Sequence, residues 1–359
     1  MKQTAIVILN WNGRKLLEQF LPSVLLHTPT EMADIIVADN GSTDDSVAFL
    51  EEHYPSVIVR ALGRNYGFAK GYNRILDDLD YEYVVLLNSD VEVLPEWLRQ
   101  AVGYLETHLD VVALQPKILS YRKRWEFEYA GACGGFMDKN GYPLCRGRIL
   151  SVVENDTGQY ETPVRIFWAS GACLFIRLQV FKDAGGFDDG FFAHQEEIDL
   201  CWRLNARGKK IVCLPQSAVF HVGGATLGKA DPKKDYLNFR NNLLMLYKNL
   251  PEPHYSRVMH IRFVLDYLSA IHCLWKRQWA NAWAICKARW DFHRMKTRYR
   301  AVREENLRRT RLDVSKLLLP QSIIWEYYVN KKRKISEYGT AADGLLGYTG
   351  RTGAQSEEY

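Results

Sequence analysis

Five short apolar runs, the first four each followed by a polar turn and then a helical pattern, dominate the first third of the chain. Ala5 to Leu9, Ile35 to Ala38, Val57 to Ala61, Tyr83 to Leu87 and Val111 to Leu114 read as strands. Between them, residues 15–26, 44–52, 68–79 and 96–105 carry apolar side chains at helical spacing, and Ser42-Thr43 reads as the N-cap of the second helix. Runs that are apolar at every position suit strands covered on both faces. Repeated strand–helix–strand units predict an α/β fold with a doubly wound, mostly parallel sheet. Sheets of this kind bind ligands beyond the carboxyl ends of their strands, so the residues standing there carry the most information.

The first strand ends at Asn10-Trp11-Asn12 and the second at Asp39 in "ADNGSTDD". The third leads into "GRNYGFAKGYN", with Asn65, and the fourth ends on Asn88-Ser89-Asp90. Four consecutive strand ends therefore place polar groups on one edge. The turn at Gly67 to Gly71 opens a helix, which predicts backbone N–H groups facing a phosphate with Lys70 adding charge. Asp90 is of the type that holds a hard metal ion. No G-x-G-x-x-G follows the first strand and no P-loop pattern occurs, so neither a dinucleotide-binding fold nor a P-loop is indicated.

Residues 120–163, rich in Gly and aromatic side chains, read as loops or a small antiparallel insertion. An apolar segment follows at 166–176, then a turn at Gly185-Gly186, a helix over 196–205 and a strand from Ile211 to His221. The pattern is helical from about 236, and the polar, Gly-rich end is expected to be disordered from about 339. The expected organisation is a catalytic domain over 1–235, divided into a nucleotide-sugar half (1–115) and an acceptor half (116–235). A basic amphipathic helical extension follows over 236–312, then a C-terminal segment over 313–359. With 359 residues, 47% of them hydrophobic, the chain can bury a substantial core. The seven cysteines include no C-x-x-C pair and read as reduced core thiols, not as a zinc or disulfide framework. The first residues lack the apolar run and cleavage site of a secretory leader, and no apolar run is long enough to span a bilayer; both point to the cytoplasm.

Seven segments, taken together and in order, resemble one family. "ILNWNG", "ADNGSTDDS", "GRNYGFAKGYN", "LLNSDV", "ASGACLFIR", "GGFDDGFFAHQEEIDLCWR" and "FHVGGAT" are similar to the family 2 inverting glycosyltransferases of the GT-A fold, especially the rhamnosyltransferase-like branch. The resemblance covers roughly residues 3–250. It implies a nucleotide-sugar site built from Asn10, Asp39, Asn65, Gly67, Lys70, Asn88 and Ser89, with Asp39 on the base or ribose. Asn88-Ser89-Asp90 stands where the family has D-x-D, its first carboxylate replaced by a neutral amide. Asp90, with His221 as the second contact, would bind Mg²⁺ or Mn²⁺ bridging the donor diphosphate. Adjacent helical residues point about 100° apart, so Glu196 and Glu197 cannot both face one substrate atom. The family places its base at the second of two carboxylates, which favours Glu197 and leaves Glu196 open. Trp168, Ser170 and Gly171 are expected on the acceptor side. His194 reads as a loop residue near the site, and Asp199 and Arg203, four apart, as a structural pair.

The implied activity is metal-dependent transfer of one sugar, with inversion, from a UDP- or dTDP-sugar to a glycan or lipid-linked saccharide in cell-envelope polysaccharide synthesis. Processive relatives carry Q-x-x-R-W, whereas this chain has only "CKARW", so a single transfer is expected. Net charge is +5 overall, yet residues 257–311 hold 14 Lys and Arg against 4 Asp and Glu. Trp275, Trp279, Trp283 and Trp290 form a helical stripe there, flanked by Lys276, Arg277, Lys287 and Arg289. A basic amphipathic helix of this kind suits peripheral attachment to the inner face of a membrane, and the stripe would equally suit a homodimer. Two alternatives have less in their favour. A sugar nucleotidyltransferase would place a basic Gly-rich loop directly after the first strand. A non-enzymatic binder of membrane or nucleic acid would leave the first 250 residues unexplained, and no nucleic-acid partner is expected.

Overall fold

The computed structural model describes residues 2–223 and 231–338. Each apolar run of the first third becomes a strand: β1 (Thr4–Asn10), β2 (Ala33–Asp39), β3 (Ile58–Ala61), β4 (Tyr83–Leu87), and, after the short β5 (Val91–Val93), β6 (Val111–Ser120). Between them lie α1 (Arg14–His27), α2 (Ser46–His53), α3 (Gly67–Asp77) and α4 (Trp97–Thr107). Strands β3, β2, β1 and β4 pair side by side in parallel, and the register sets Asn10 level with Asp39. Every residue of β4 is buried, as both-face coverage requires. One face of the sheet packs Ile6, Val37 and Leu87 against Leu17 of α1 and Leu98 of α4; the other packs Val7, Ile36 and Leu86 against Tyr72 and Leu76 of α3.

Helix α2 begins later than expected, and its cap differs. Asp44 Oδ1 accepts from the Ser46 N–H (3.2 Å), while Ser42 and Thr43 instead bond to the loop after β1 through Asn12. The reason is tertiary, because the two strand-end loops lie side by side and compete for the same hydroxyls.

Within 120–163, β7 (Gly135–Met137), β8 (Pro143–Cys145), β9 (Arg148–Ile149) and β10 (Val152–Val153) form a separate antiparallel sheet. The chain then returns through β11 (Val164–Arg165) and β12 (Cys173–Arg177), followed by α5 (Leu178–Asp183), α6 (Glu196–Ala206) and β13 (Lys210–His221). The main sheet runs β11-β13-β6-β12-β4-β1-β2-β3, with β5 on the end of β13. Strand β12 lies antiparallel between β4 and β6, so the sheet is mixed. Its local pattern matches that of a parallel strand; only the chain's return from the insertion reverses it. A register shift between Leu214 and Ala218 interrupts the β13–β6 pairing, and beyond it β13 carries both β6 and β5.

Beyond residue 231 come α7 (Pro232–Asn249), α8 (His254–Trp275), α9 (Trp279–Met295), α10 (Arg300–Arg308) and α11 (Ile323–Tyr328). The tryptophan stripe is not one helix. The chain turns at residues 276–278, with Arg277 at φ +59°, so Trp275 ends α8 and Trp279 starts α9. Leu243 and Leu246 of α7, Phe292 of α9, and Leu319 and Ile323 near α11 belong to the same core as Phe136 and Trp168. All seven cysteines are free; five are buried, while Cys273 and Cys286 are half-buried helix residues, not core. The expected tail from 339 and residues 224–226 of "FHVGGAT" lie outside the described residues.

Candidate active site

At the end of β1, buried Asn10 donates from Nδ2 to Asp39 Oδ1 (3.2 Å) and Ser42 Oγ (3.2 Å). Asp39 Oδ2 accepts from the Ser42 N–H three residues on (3.0 Å), closing the turn after β2. Both Asp39 oxygens therefore hold the turn, whereas Asn10 Oδ1 is buried with no hydrogen-bond partner. A buried acceptor of this kind is costly unless a ligand supplies the donor. Gly13 keeps the space beside it open, since a Cβ there would come within 2.4 Å of that oxygen.

Asn40, which the motif reading passed over, organises the next loop. Its Oδ1 accepts from the Tyr66 N–H (3.0 Å), and its Nδ2 donates to Gly67 O (3.1 Å). Asn65 Oδ1 takes the Gly67 N–H (2.8 Å). The N–H groups of Phe68 and Ala69 both donate to the Phe192 carbonyl (2.8 and 3.3 Å). This corrects the expected phosphate cradle: the first amides of α3 are satisfied by the protein, and the Gly67 turn instead seats the loop before α6. Gly67 is required there, because its φ is +77° and a Cβ would meet the Phe192 ring at 2.6 Å. Lys70 lies 3.5 Å from Asp189.

The pairing of β5 with β13 carries Asp90 to His221, where Nε2 lies 3.1 Å from Asp90 Oδ1. Asn88 Nδ2 is 3.4 Å from the same nitrogen, and Ser89 is half-buried between the two. On the other side of the ring, Nδ1 stands 3.5 Å from Glu128 Oε2. Burial opposes the imidazolium, but Glu128 and Asp90 together outweigh it and lift His221 to about 10. Burial likewise opposes ionisation of Asp90, yet the bond from His221 holds its carboxyl below the usual range. Glu128 also accepts from the Ala130 N–H, which fixes it behind the ring in the manner of carboxylates that orient histidines. No sequence signal marked Glu128, which sits in an irregular stretch without a motif.

Helix α6 follows a left-handed stretch, with φ +66° at Phe192, +70° at His194 and +73° at Gln195. Each such residue costs on the order of 1–3 kcal/mol and persists only when its surroundings hold it. Asn241 of α7 does so, its Nδ2 donating to the carbonyls of Phe191, Ala193 and His194 at 2.8–3.0 Å. Asn242 Nδ2 donates to Gln195 Oε1 (3.1 Å). The result is that Glu197 lies beside Gly171, whose hypothetical Cβ would be 4.0 Å from that of Glu197. Glu196 is buried and Glu197 half-buried, and each has an Oε2 atom out of solvent without a partner. Burial and the neighbouring Glu197 charge push Glu196 well above the carboxylate range; burial lifts Glu197 to about 7. Among the described residues no Lys or Arg pairs with either. Burial lowers His194 to about 4, so its imidazole is neutral.

Two acceptor-side expectations are corrected. Trp168 is 3% exposed, its Nε1 donating to Phe136 O (2.8 Å) and its ring covered by Gly135, so it is core and offers no face to a sugar. Ser170 is also buried, its hydroxyl accepting from the Ala172 N–H (3.2 Å). Gly171 borders Glu197. The Asn88 N–H donates to Ala172 O (3.0 Å), which ties the end of β4 to this segment. Asp199 and Arg203 pair at 3.0 Å as expected, and Lys248 and Asn249 complete the shell around Asp199.

Residues 5–185, half of the chain, match the family profile described as glycosyl transferase family 2. The chain belongs to that family. Among its relatives, the N-acetylglucosaminyl-diphospho-decaprenol L-rhamnosyltransferase of Mycobacterium tuberculosis is 28% identical over 262 residues, covering 63% of this chain and 78% of that protein. The fold is shared with Staphylococcus aureus TarS 1–349 in complex with UDP, at a TM-score of 0.52 and 19% identity over 86% of this chain and 89% of that one. It is shared also with GalNAc-T7 solved with UDP, GalNAc and Mn²⁺, at a TM-score of 0.55 and 17% identity over 68% of this chain and 48% of that one. This glycosyltransferase is thus rhamnosyltransferase-like in sequence and α/β in architecture. No helix among its described residues is long and apolar enough to cross a membrane.

Proposed function

We propose that this glycosyltransferase moves one sugar, with inversion and without processivity, from a nucleoside-diphosphate sugar to a hydroxyl of a glycan or lipid-linked saccharide in cell-envelope polysaccharide synthesis. The observation that carries the reading is Glu197: a half-buried carboxylate that pairs with no Lys or Arg among the described residues, beside Gly171, whose neighbour Ala172 accepts a hydrogen bond from the end of β4. A carboxylate lifted to about 7 is suited to take a proton from an acceptor hydroxyl near neutral pH. As that oxygen attacks the anomeric carbon from the face opposite the diphosphate, a single displacement inverts configuration. Glu196, more deeply buried, is the second candidate for the base.

The donor would lie along the strand ends, the unpartnered Asn10 Oδ1 accepting from its base or ribose, with Asp39, Asn65, Lys70, Asn88 and Ser89 around it. UDP and dTDP both suit this reading, and the neighbours solved with UDP support a nucleotide of that type. Among the described residues no group of three or more His, Cys, Asp and Glu forms a closed metal centre. Asp90 and His221 nevertheless fit an ion completed by ligand oxygens, provided the ion displaces the proton they share, since Asp90 Oδ1 and His221 Nε2 stand 3.1 Å apart at a strand end, a separation two ligands of one ion can have. Mg²⁺ or Mn²⁺ held there would neutralise charge on the leaving diphosphate. The M. tuberculosis relative, named for a diphospho-decaprenol acceptor, supports a lipid-linked acceptor and a peripheral position on the inner face of a membrane.

Calorimetric titration of UDP, dTDP and their sugars, with and without Mn²⁺, tests the donor site. Wild type is expected to bind in a metal-dependent way and Asp90→Ala to weaken that binding by tenfold or more. Equal affinity with and without metal in both proteins would remove Asp90 and His221 from the donor site.

A further inference from the structure

Helix α8 is built inside out. Val258, Arg262, Asp266 and Ala270 are its buried residues, two of them charged. Arg262 and Asp266 satisfy one another at 3.1 Å, and buried Arg289 of α9 reaches Asp266 at 2.5 Å. Its opposite side shows Phe263, Val264, Tyr267, Leu268, Ile271 and Leu274, between 37% and 59% exposed. At about 100° per residue these six fall within an arc of about 140°, one continuous face. The turn into α9 adds Trp275, Trp279 and Trp283, at 81%, 66% and 69% exposed. With its charges already paired inside, this hairpin leaves bare a face that water does not favour.

We propose that this α8–α9 face seats the enzyme on an anionic lipid surface, lying in the headgroup region without spanning it. Three observations select lipid. The tip carries Lys276 and Arg277, both exposed and, among the described residues, without a carboxylate in ion-pair range; exposed Arg294, in the last turn of α9, and Arg298, just after it, add cations. Tryptophans at the margin of an apolar face match the boundary between acyl chains and headgroups. A two-fold dimer through this patch would set each tip's Lys276 and Arg277 in the same interface as their copies, whereas phosphate headgroups complement them. The face is also tied to the catalytic loop, because Arg262 donates to Asn242, and Asn242 to Gln195, the residue before Glu196. Docking would therefore hold the candidate base at a set height above the lipid. The proposal deepens the membrane attachment proposed above by naming its surface and lipid class, and it rests on none of the donor residues.

Flotation of the full chain with extruded vesicles of phosphatidylcholine alone, or of phosphatidylcholine with phosphatidylglycerol, tests it. Wild type is expected to float with the anionic vesicles and less with neutral ones, with salt weakening the difference. Leu268→Ser/Ile271→Ser should lower partition to both vesicle types by about tenfold or more. Lys276→Glu/Arg277→Glu, at the solvent-exposed tip, should abolish the anionic preference with an unchanged melting temperature, and it carries the test if the double serine variant does not fold. Wild type that stays unbound to both vesicle types overturns the proposal. So does sedimentation velocity showing a dimer that these substitutions dissociate while flotation is unaffected. UDP binding, measured on the same preparations, reads the donor site separately and should not change.

Discussion

At the scale of single residues, the site depends on how burial treats two neighbouring carboxylates. As the proposed base Glu197 would act only when ionised, and burial has lifted it to about 7. The kcat/KM is therefore expected to fall about tenfold per pH unit below that value and to level off above it. Glu197→Gln should lose 10²- to 10⁴-fold in kcat, by the usual worth of a positioned base, with nucleotide binding kept. If the loss instead follows Glu196→Gln, the roles are exchanged. Sequence alone shows that the two carboxylates diverge on a helix; which one borders Gly171 depends on the positive-φ residues Phe192, His194 and Gln195 and on Asn241 holding that stretch. Trp168 shows the converse, since an aromatic residue reads alike as sugar platform or core until its covering neighbour, Gly135, is known.

At the scale of elements, a buried polar shell joins α6 to α7. Asp199, fully buried, accepts from Lys248 (2.9 Å), Arg203 (3.0 Å) and Asn249 (2.9 Å), and Lys248 also pairs with Asp188. Burial opposes the Asp199 charge, but Lys248 and Arg203 hold its pKa below the ordinary value. A depressed carboxylate stabilises the fold above its unfolded pKa, and that contribution fades as pH falls through the folded value. Lys248→Ala, which leaves Asp199 with Arg203 as its one cation and takes the cation from Asp188, is expected to cost about 3 kcal/mol at pH 7 in denaturant unfolding. The cost should shrink in acid, where Asp199 protonates. The i, i+4 spacing of Asp199 and Arg203 was legible on one helix; Lys248 lies 49 residues away and no local pattern links it.

At the scale of the whole molecule, the segment after residue 312 is part of the core. Leu319 and Ile323 are fully buried, Ile323 N–H donates to Asp138 (3.0 Å), and Leu319 N–H donates to Met137 O (2.9 Å). A chain ending at Leu312 is expected to melt well below the full chain or to be insoluble, whereas ending at Tyr338 should leave the melting temperature within about 2 °C. Scanning calorimetry distinguishes the two. The sequence by itself determined the parallel strands of the first half, their helices and the polar residues at their ends, because periodicity and turn chemistry are local properties. It also carried the family, through motifs whose order survives at low identity. Tertiary structure alone decided that β12 runs antiparallel, that the amides of α3 bind the loop at Phe192, that Glu128 stands behind His221, and that α8 turns its charges inward. Each of these joins residues far apart in the chain, and burial and pairing between such residues arise only once the chain is folded.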